Sequence, residues 1–294
     1  MDLRLYDVNR IEILRGPQGT LFGSGALGGL VRVLTNNPDP DEFAASVRVD
    51  MADIKDAGLR TRLDGMVNVP LADNLALRAV VYSRDEAGWV ENDVLGTENS
   101  ADDWGARVAL LWEPNDDFSA MLKVMHQDSD PEDGDAWNPA LGKFKRDTAI
   151  TEQRKTEFTQ TNLTVKYQVG DYGQIISSTN VQETKSNWLL QVGEIPGIGK
   201  ILNQTDPYDS ESFVQEIRFV SEPGDRLSWV AGALYSKIEN GGRFAFVLDG
   251  LQDFVDAVAA PGIVTSDDFF AGPAEMDSSE TAVYADMTWQ FNEA

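Results

Sequence analysis

Residues 10–38 read RIEILRGPQGTLFGSGALGGLVRVLTNNP. The stretch opens on a short apolar strand carrying Ile11, Ile13 and Leu14. It then enters a glycine cluster, Gly16, Gly19, Gly23, Gly25, Gly28 and Gly29. A second strand, Leu30 to Thr35, follows and is stopped by Asn36, Asn37 and Pro38. Glycines at this density permit positive φ and close backbone approach, which a chain packed inside a tight enclosure needs. Gly23 to Gly28 also satisfies G-x-G-x-x-G, but a dinucleotide site needs a helix directly after that motif. The segment that follows is β-branched and ends at a breaker cluster, so the nucleotide reading is set aside.

Beyond Pro40 the pattern has period 2. Val47, Val49 and Met51 alternate with Arg48 and Asp50. Leu75, Leu77, Ala79 and Val81 share a face, as do Trp104, Ala106, Val108, Leu110 and Trp112. The same alternation returns at Thr161 to Tyr167, Phe213 to Val220, Leu227 to Tyr235 and Thr281 to Phe291. Ten strands are expected, joined alternately by turns of about four residues rich in Pro, Gly, Asn and Asp and by long polar loops. The loops are expected at Asp85–Asp103, Gln127–Glu157, Ser186–Ser212 and Glu239–Ser279, with a short helix in the last from the spacing of Leu251, Phe254, Val255 and Val258. A soluble sandwich also has period 2, with its apolar face turned inward. Short turns opposite long loops, with Trp and Tyr towards the strand ends of the apolar face, instead suit an outer-membrane barrel facing lipid.

Composition narrows the function. The chain of 294 residues carries 49 acids against 24 bases, a net charge of −25, which disfavours nucleic acid as a partner. It has no cysteine and one histidine, His126, so neither a disulfide framework nor a thiolate or histidine metal cluster is expected. No metal and no cofactor is expected, and no catalytic set stands out; the carboxylates are scattered through loops. Hydrophobic content is 42%, and the longest apolar runs fall far short of the ~20 residues of a membrane helix. The N-terminal residues lack the basic and apolar regions of a signal peptide, so the sequence is expected to be a truncated piece.

Arg10-Ile11-Glu12, Leu14-Arg15-Gly16-Pro17, Gly23, Gly25-Ala26 and Gly28-Gly29, ending in Thr35 and Pro38, resemble the C-terminal part of the plug of TonB-dependent outer-membrane receptors. The resemblance implies an all-β fold. Residues 1–38 would be the end of a plug. Residues 39–294 would be the N-terminal portion of a transmembrane antiparallel barrel, about ten strands of roughly 22. It implies a receptor, not an enzyme, in the outer membrane of a Gram-negative bacterium, importing a scarce nutrient, most often a ferric siderophore. Its partners would be outer-membrane lipid, the small ligand and the TonB complex, whose binding box is absent from this chain. The alternative class is a surface-exposed or soluble β-rich binding module that transports nothing.

The resemblance also assigns residues. Arg10, Glu12 and Arg15 would lock the plug to charged groups of the barrel, since a buried guanidinium needs a carboxylate partner. The motif glycines are Gly16, Gly23, Gly25, Gly28 and Gly29. Loop aromatics, Trp137, Trp188, Tyr208, Phe244 and Phe246, are expected either to meet ligand at the outer mouth or to pack loop on loop. Asp128 to Asp135 looks superficially like a calcium loop. Its sixth position is Asp133 and its twelfth Pro139, where an EF-hand needs Gly and Glu, so a solvated acidic loop is expected.

Overall fold

The computed structural model describes residues 6–16, 28–222, 226–259, 261–264 and 266–291, with the side chains of Asp206 and Pro207 excepted. Gly23, Gly25 and most of the G-x-G-x-x-G stretch lie outside them. Strands β1 (Val8–Arg15) and β2 (Gly29–Thr35) form an antiparallel pair of their own. Gly29 sits opposite Arg15 at φ +129°, and a Cβ there would come within 2.5 Å of the Leu14 carbonyl oxygen. Only glycine fits that approach.

The remaining strands are β3 (Ala44–Ile54), β4 (Gly58–Ala72), β5 (Leu75–Glu86), β6 (Glu91–Asn92), β7 (Thr97–Glu98), β8 (Ala101–Asn115), β9 (Phe118–Pro131), β10 (Lys145–Arg146), β11 (Gln153–Gln168), β12 (Gly173–Ile195), β13 (Gly199–Ser221), β14 (Leu227–Gly241), β15 (Arg243–Leu248), β16 (Asp268–Pro273) and β17 (Met276–Trp289). One helix, α1 (Leu251–Val258), lies where its apolar spacing predicts it. No helix among the described residues is long and apolar enough to cross a membrane, which says nothing of strands. Strands β6, β7 and β10 form a small sheet. The others make one 12-stranded sheet, of which ten strands run as a wall in meander order while β15 and β16 extend it beside β13.

Register fixes which side chains share a face, because pairing has period 2. Leu77, Leu110, Leu122 and Leu163 are directly opposite one another across four strands, and Ala79, Val108, Val124 and Thr161 form the next row. Rows of this parity face out: Val47, level with Gly65 and Val81, is 75% exposed and Val283, level with Ala233, is 83% exposed. On β8 the row runs from Trp112 to Trp104, both exposed. Eight residue steps at about 3.4 Å span about 27 Å along the strand, close to the apolar band of an outer-membrane barrel. The inward parity holds Arg48, Asp64, Arg78, Arg107, Lys123 and Asn162, with Ala76, Val80 and Ala109 buried among them. The expected apolar face is therefore present and turned outward, the reverse of a sandwich.

All four expected loops are corrected: the first holds β6, β7 and the start of β8, and the last holds β15, β16, the end of β14 and the start of β17. Residues 186–212 are strand, not loop: β12 and β13 are each 23 residues long and join through a tight turn at Pro196–Ile198. Residues 127–131 and 153–157 likewise extend β9 and β11. Residues 127–130 and 153–157 are polar on both faces, while Trp188 to Leu190 is a continuous apolar run and Asn203 to Ser212 is mostly polar, so the alternation that marks a strand disappears while backbone pairing continues.

Candidate functional site

The two-stranded hairpin is held to the wall through Asp7, directly before β1. Arg78 on β5 donates to both carboxylate oxygens, Nη2 to Oδ1 at 2.5 Å and Nε to Oδ2 at 2.9 Å, a two-pronged contact. Arg107 on β8 donates from Nη2 to Oδ2 at 2.9 Å and to the Asp7 carbonyl at 3.0 Å. Asn36 closes the set, its Nδ2 donating to Oδ1 at 2.8 Å. The Asp7 side chain is 4% exposed and each arginine side chain 12%. Burial alone would raise the Asp7 carboxyl. The hydrogen bonds from Arg78 and Asn36 and the charges of Arg78 and Arg107 outweigh it and hold the group below its usual value.

The segment leaving β2 is fixed separately. Asn68, on β4 and fully buried, accepts from the Asp39 N–H at 3.0 Å and donates to the carbonyls of Asp39 at 2.8 Å and Glu42 at 2.6 Å. One inward amide thus satisfies three backbone groups just before the wall begins. Lys123 on β9 donates to Thr35 Oγ1 at 3.3 Å and Asn37 Oδ1 at 3.0 Å. On the other flank the Tyr6 hydroxyl meets Ser46 Oγ at 2.8 Å, and the Arg48 guanidinium stacks 4.9 Å from its ring.

Arg10 and Glu12 pair with each other at 2.6 Å, and Arg32 reaches Glu12 at 3.4 Å, so these charges meet within the hairpin. Arg15 ends β1 opposite Gly29, and Gly16 takes φ +84° as the chain leaves the strand. The hairpin-to-wall pair, Asp7 with Arg78 and Arg107, escaped the sequence reading. The available signal was an arginine at the inward position of two strands whose inward neighbours are Ala76 and Val80 on one and Gly105 and Ala109 on the other, a costly placement without a carboxylate.

The loop aromatics divide. Trp137 and Trp89 pack edge-on against Phe144, at 5.8 and 5.1 Å. Trp188 and Phe244 share one cross-strand row on either side of Thr205, and Phe244 packs against Phe246 at 5.1 Å. Tyr208 stands opposite Ser186. The acidic loop is not fully solvated: Asp133 is buried and accepts from Thr97 Oγ1 at 2.8 Å and from the N–H groups of Gly134 and Glu152 at 2.8 and 2.9 Å. Arg146, also buried, lies 3.4 Å from Asp133 and 2.8 Å from Glu152. Protein donors occupy that carboxylate, and no metal-ligating cluster occurs among the described residues.

A wall with its apolar face outward and a glycine-rich hairpin ion-paired to its inner face is the fold of the TonB-dependent outer-membrane receptors. The structure is similar to the ferric yersiniabactin uptake receptor FyuA of Yersinia pestis, with a TM-score of 0.81 and 18% identity over 97% of this chain and 42% of that one. In sequence, 35 residues are 54% identical to the pesticin receptor of Yersinia enterocolitica, covering 12% of this chain and 5% of that protein. A further match, 36% over 75 residues, is to the ferric enterobactin receptor PirA of Pseudomonas aeruginosa, covering 25% of this chain and 10% of that protein. The chain thus spans less than half of the matched structure, and its sequence matches cover a tenth or less of those relatives. No family model matches the chain.

Proposed function

We propose that this chain is part of an outer-membrane receptor that takes up a ferric siderophore in a Gram-negative bacterium, driven through the TonB complex. In this reading residues 1–38 end the plug and residues 39–294 begin the barrel. The observation that carries it is the Asp7 contact: a glycine-rich hairpin is ion-paired to inward arginines of a wall whose outward rows are apolar. Such an arrangement suits a removable stopper inside a membrane ring. A soluble binding module would have those rows covered. The names of the similar proteins, receptors for ferric yersiniabactin and ferric enterobactin, support iron chelates as the ligand class.

Arg10, Glu12 and Arg15 keep a proposed part in retaining the plug, now alongside Asp7. Trp188, Phe244 and Phe246, around Thr205 on the paired strands β12, β13 and β15, are proposed to meet ligand, together with Tyr208 and Trp137. The test is uptake of radiolabelled iron chelates by cells expressing the full-length receptor, with and without TonB. Accumulation that needs both the receptor and TonB supports the reading. Equal uptake without TonB, or a full-length protein that stays monodisperse in buffer without detergent, overturns it.

A further inference from the structure

The three nitrogens of Arg78 divide between two places. Nε and Nη2 hold the two carboxylate oxygens of Asp7. Nη1 reaches Asn68 Oδ1 at 3.5 Å, the outer limit of a hydrogen bond. That oxygen already accepts the Asp39 N–H at 3.0 Å, so the guanidinium and the Asp39 backbone meet on one atom. Asp39 is exposed, and its Oδ1 accepts the Asp41 N–H at 2.9 Å. It forms no ion pair among the described residues, yet it is a second carboxylate whose charge reaches Arg78.

Departure of Asp7 leaves Arg78 and Arg107 in an unfavourable pair. Arg78 is opposite Ala109, so Arg107 is its diagonal neighbour on β8, with backbones about 7–8 Å apart. Asp7 is the carboxylate they share. Without it two buried like charges repel each other, and both are desolvated with no counter-charge. An arginine's long stem lets its fork turn while the strand stays in place. Asp39 is placed to receive it. Asn68 holds the carbonyls of Asp39 and Glu42 to β4, so Asp39 stays on the wall when β1 and β2 move.

We propose that Arg78 hands its fork from Asp7 to Asp39 when the hairpin leaves the wall, and takes Asp7 back when the hairpin reseats. The exchange keeps one of the two guanidiniums paired and draws it away from Arg107, so the contact opens without stranding both charges. Asp39 is exposed, so its pair with Arg78 is the weaker one and the seated hairpin stays favoured. The inference rests on the reading of residues 1–38 as the end of a plug that moves, and adds a resting partner for the arginine it leaves behind.

Asp7→Ala in the full-length receptor empties the fork without any pull on the chain. A crystal structure of that variant should show the Arg78 guanidinium on the Asp39 carboxylate. Amide exchange then reads the energetics as a cycle. Asp39→Asn alone should leave protection of β4 and β5 within about threefold of wild type. In the Asp7→Ala background the same change should lower protection beside Asn68 and Arg78 by about tenfold or more, the scale of coupling between groups that share a partner. Asp7→Ser repeats both measurements if Asp7→Ala folds poorly. Arg78 unmoved, or turned to any group other than Asp39, overturns the hand-over, as do equal effects of Asp39→Asn in the two backgrounds. Neither readout needs TonB or a transported ligand, so failure of the hand-over and failure of TonB-dependent uptake are read apart.

Discussion

Asp7→Asn keeps the shape of the side chain and removes its charge. The hydrogen bond from Asn36 can survive, but Arg78 and Arg107, each 12% exposed, lose the carboxylate they share. Breaking a buried pair by removing one partner costs about 3–5 kcal/mol, because the other charge stays desolvated. Taking about 3 kcal/mol, the hairpin's opening equilibrium rises on the order of a hundredfold. Amide exchange of β1 and β2 in the full-length receptor reads this directly: protection should fall by about that factor while β4 and β5 are unchanged. Asp7→Asn combined with Arg78→Gln should cost much less than the sum of the two single changes, since the pair is removed together. Protection of β1 and β2 within threefold of wild type in Asp7→Asn would refute the reasoning.

The same contact depends on pH. The Asp7 carboxyl is held below its usual value, so its contribution is complete above the ordinary aspartate range of about 3.9 and disappears as pH falls through the lowered folded-state value; the difference in hairpin protection between wild type and Asp7→Asn should close over that acid window and be constant at neutral pH. Val108→Arg puts a charge midway between Trp112 and Trp104 on the outward face; a cost of about 2–4 kcal/mol in folding into lipid vesicles is expected, against a far smaller one in detergent-free buffer if that face touched water. Arg146→Ala leaves Asp133 and Glu152 buried without their cation and should cost about 3–5 kcal/mol locally, read as exchange in β6, β7 and β10 with β8 and β9 protected as before. Gly105→Val would push a Cβ against the Tyr82 ring and within 2.7 Å of the His126 carbonyl, so a loss of about 1–3 kcal/mol in urea unfolding is expected, and Tyr82→Ala should recover only part of it because the carbonyl remains.

The parts of the fold legible in the sequence are those written by periodicity. The apolar rows of β3 to β5, β8, β9, β11, β14 and β17 alternate every second residue, and the helix at Leu251–Val258 repeats every three to four. The hairpin was legible because glycines and breakers bracket two apolar strands. The upper halves of β12 and β13 were not, since Trp188-Leu189-Leu190 is an unbroken apolar run, Asn203 to Ser212 is mostly polar, and Gly193, Gly197, Gly199 and Pro207 read as turn residues, so neither strand alternates there. The Asp7 contact was hidden for a different reason. Its partners stand 71 and 100 residues away, and nothing local in Arg78 or Arg107 names the acid that each one meets. Asn68 illustrates the same limit: an asparagine in a strand reads as a weak strand former, yet its amide anchors three backbone groups across the junction at 39–42.

A cysteine scan of β8 tests most directly whether the outward rows meet lipid and the inward rows enclose the hairpin. Nitroxide labels at 106 to 112 in the full-length receptor, reconstituted in a bilayer, would be probed with oxygen and with a polar nickel chelate. The account predicts strict alternation, with oxygen favoured at 106, 108, 110 and 112 and neither quencher effective at 107, 109 and 111. Equal accessibility along the strand, or oxygen favoured at the odd positions, would contradict it.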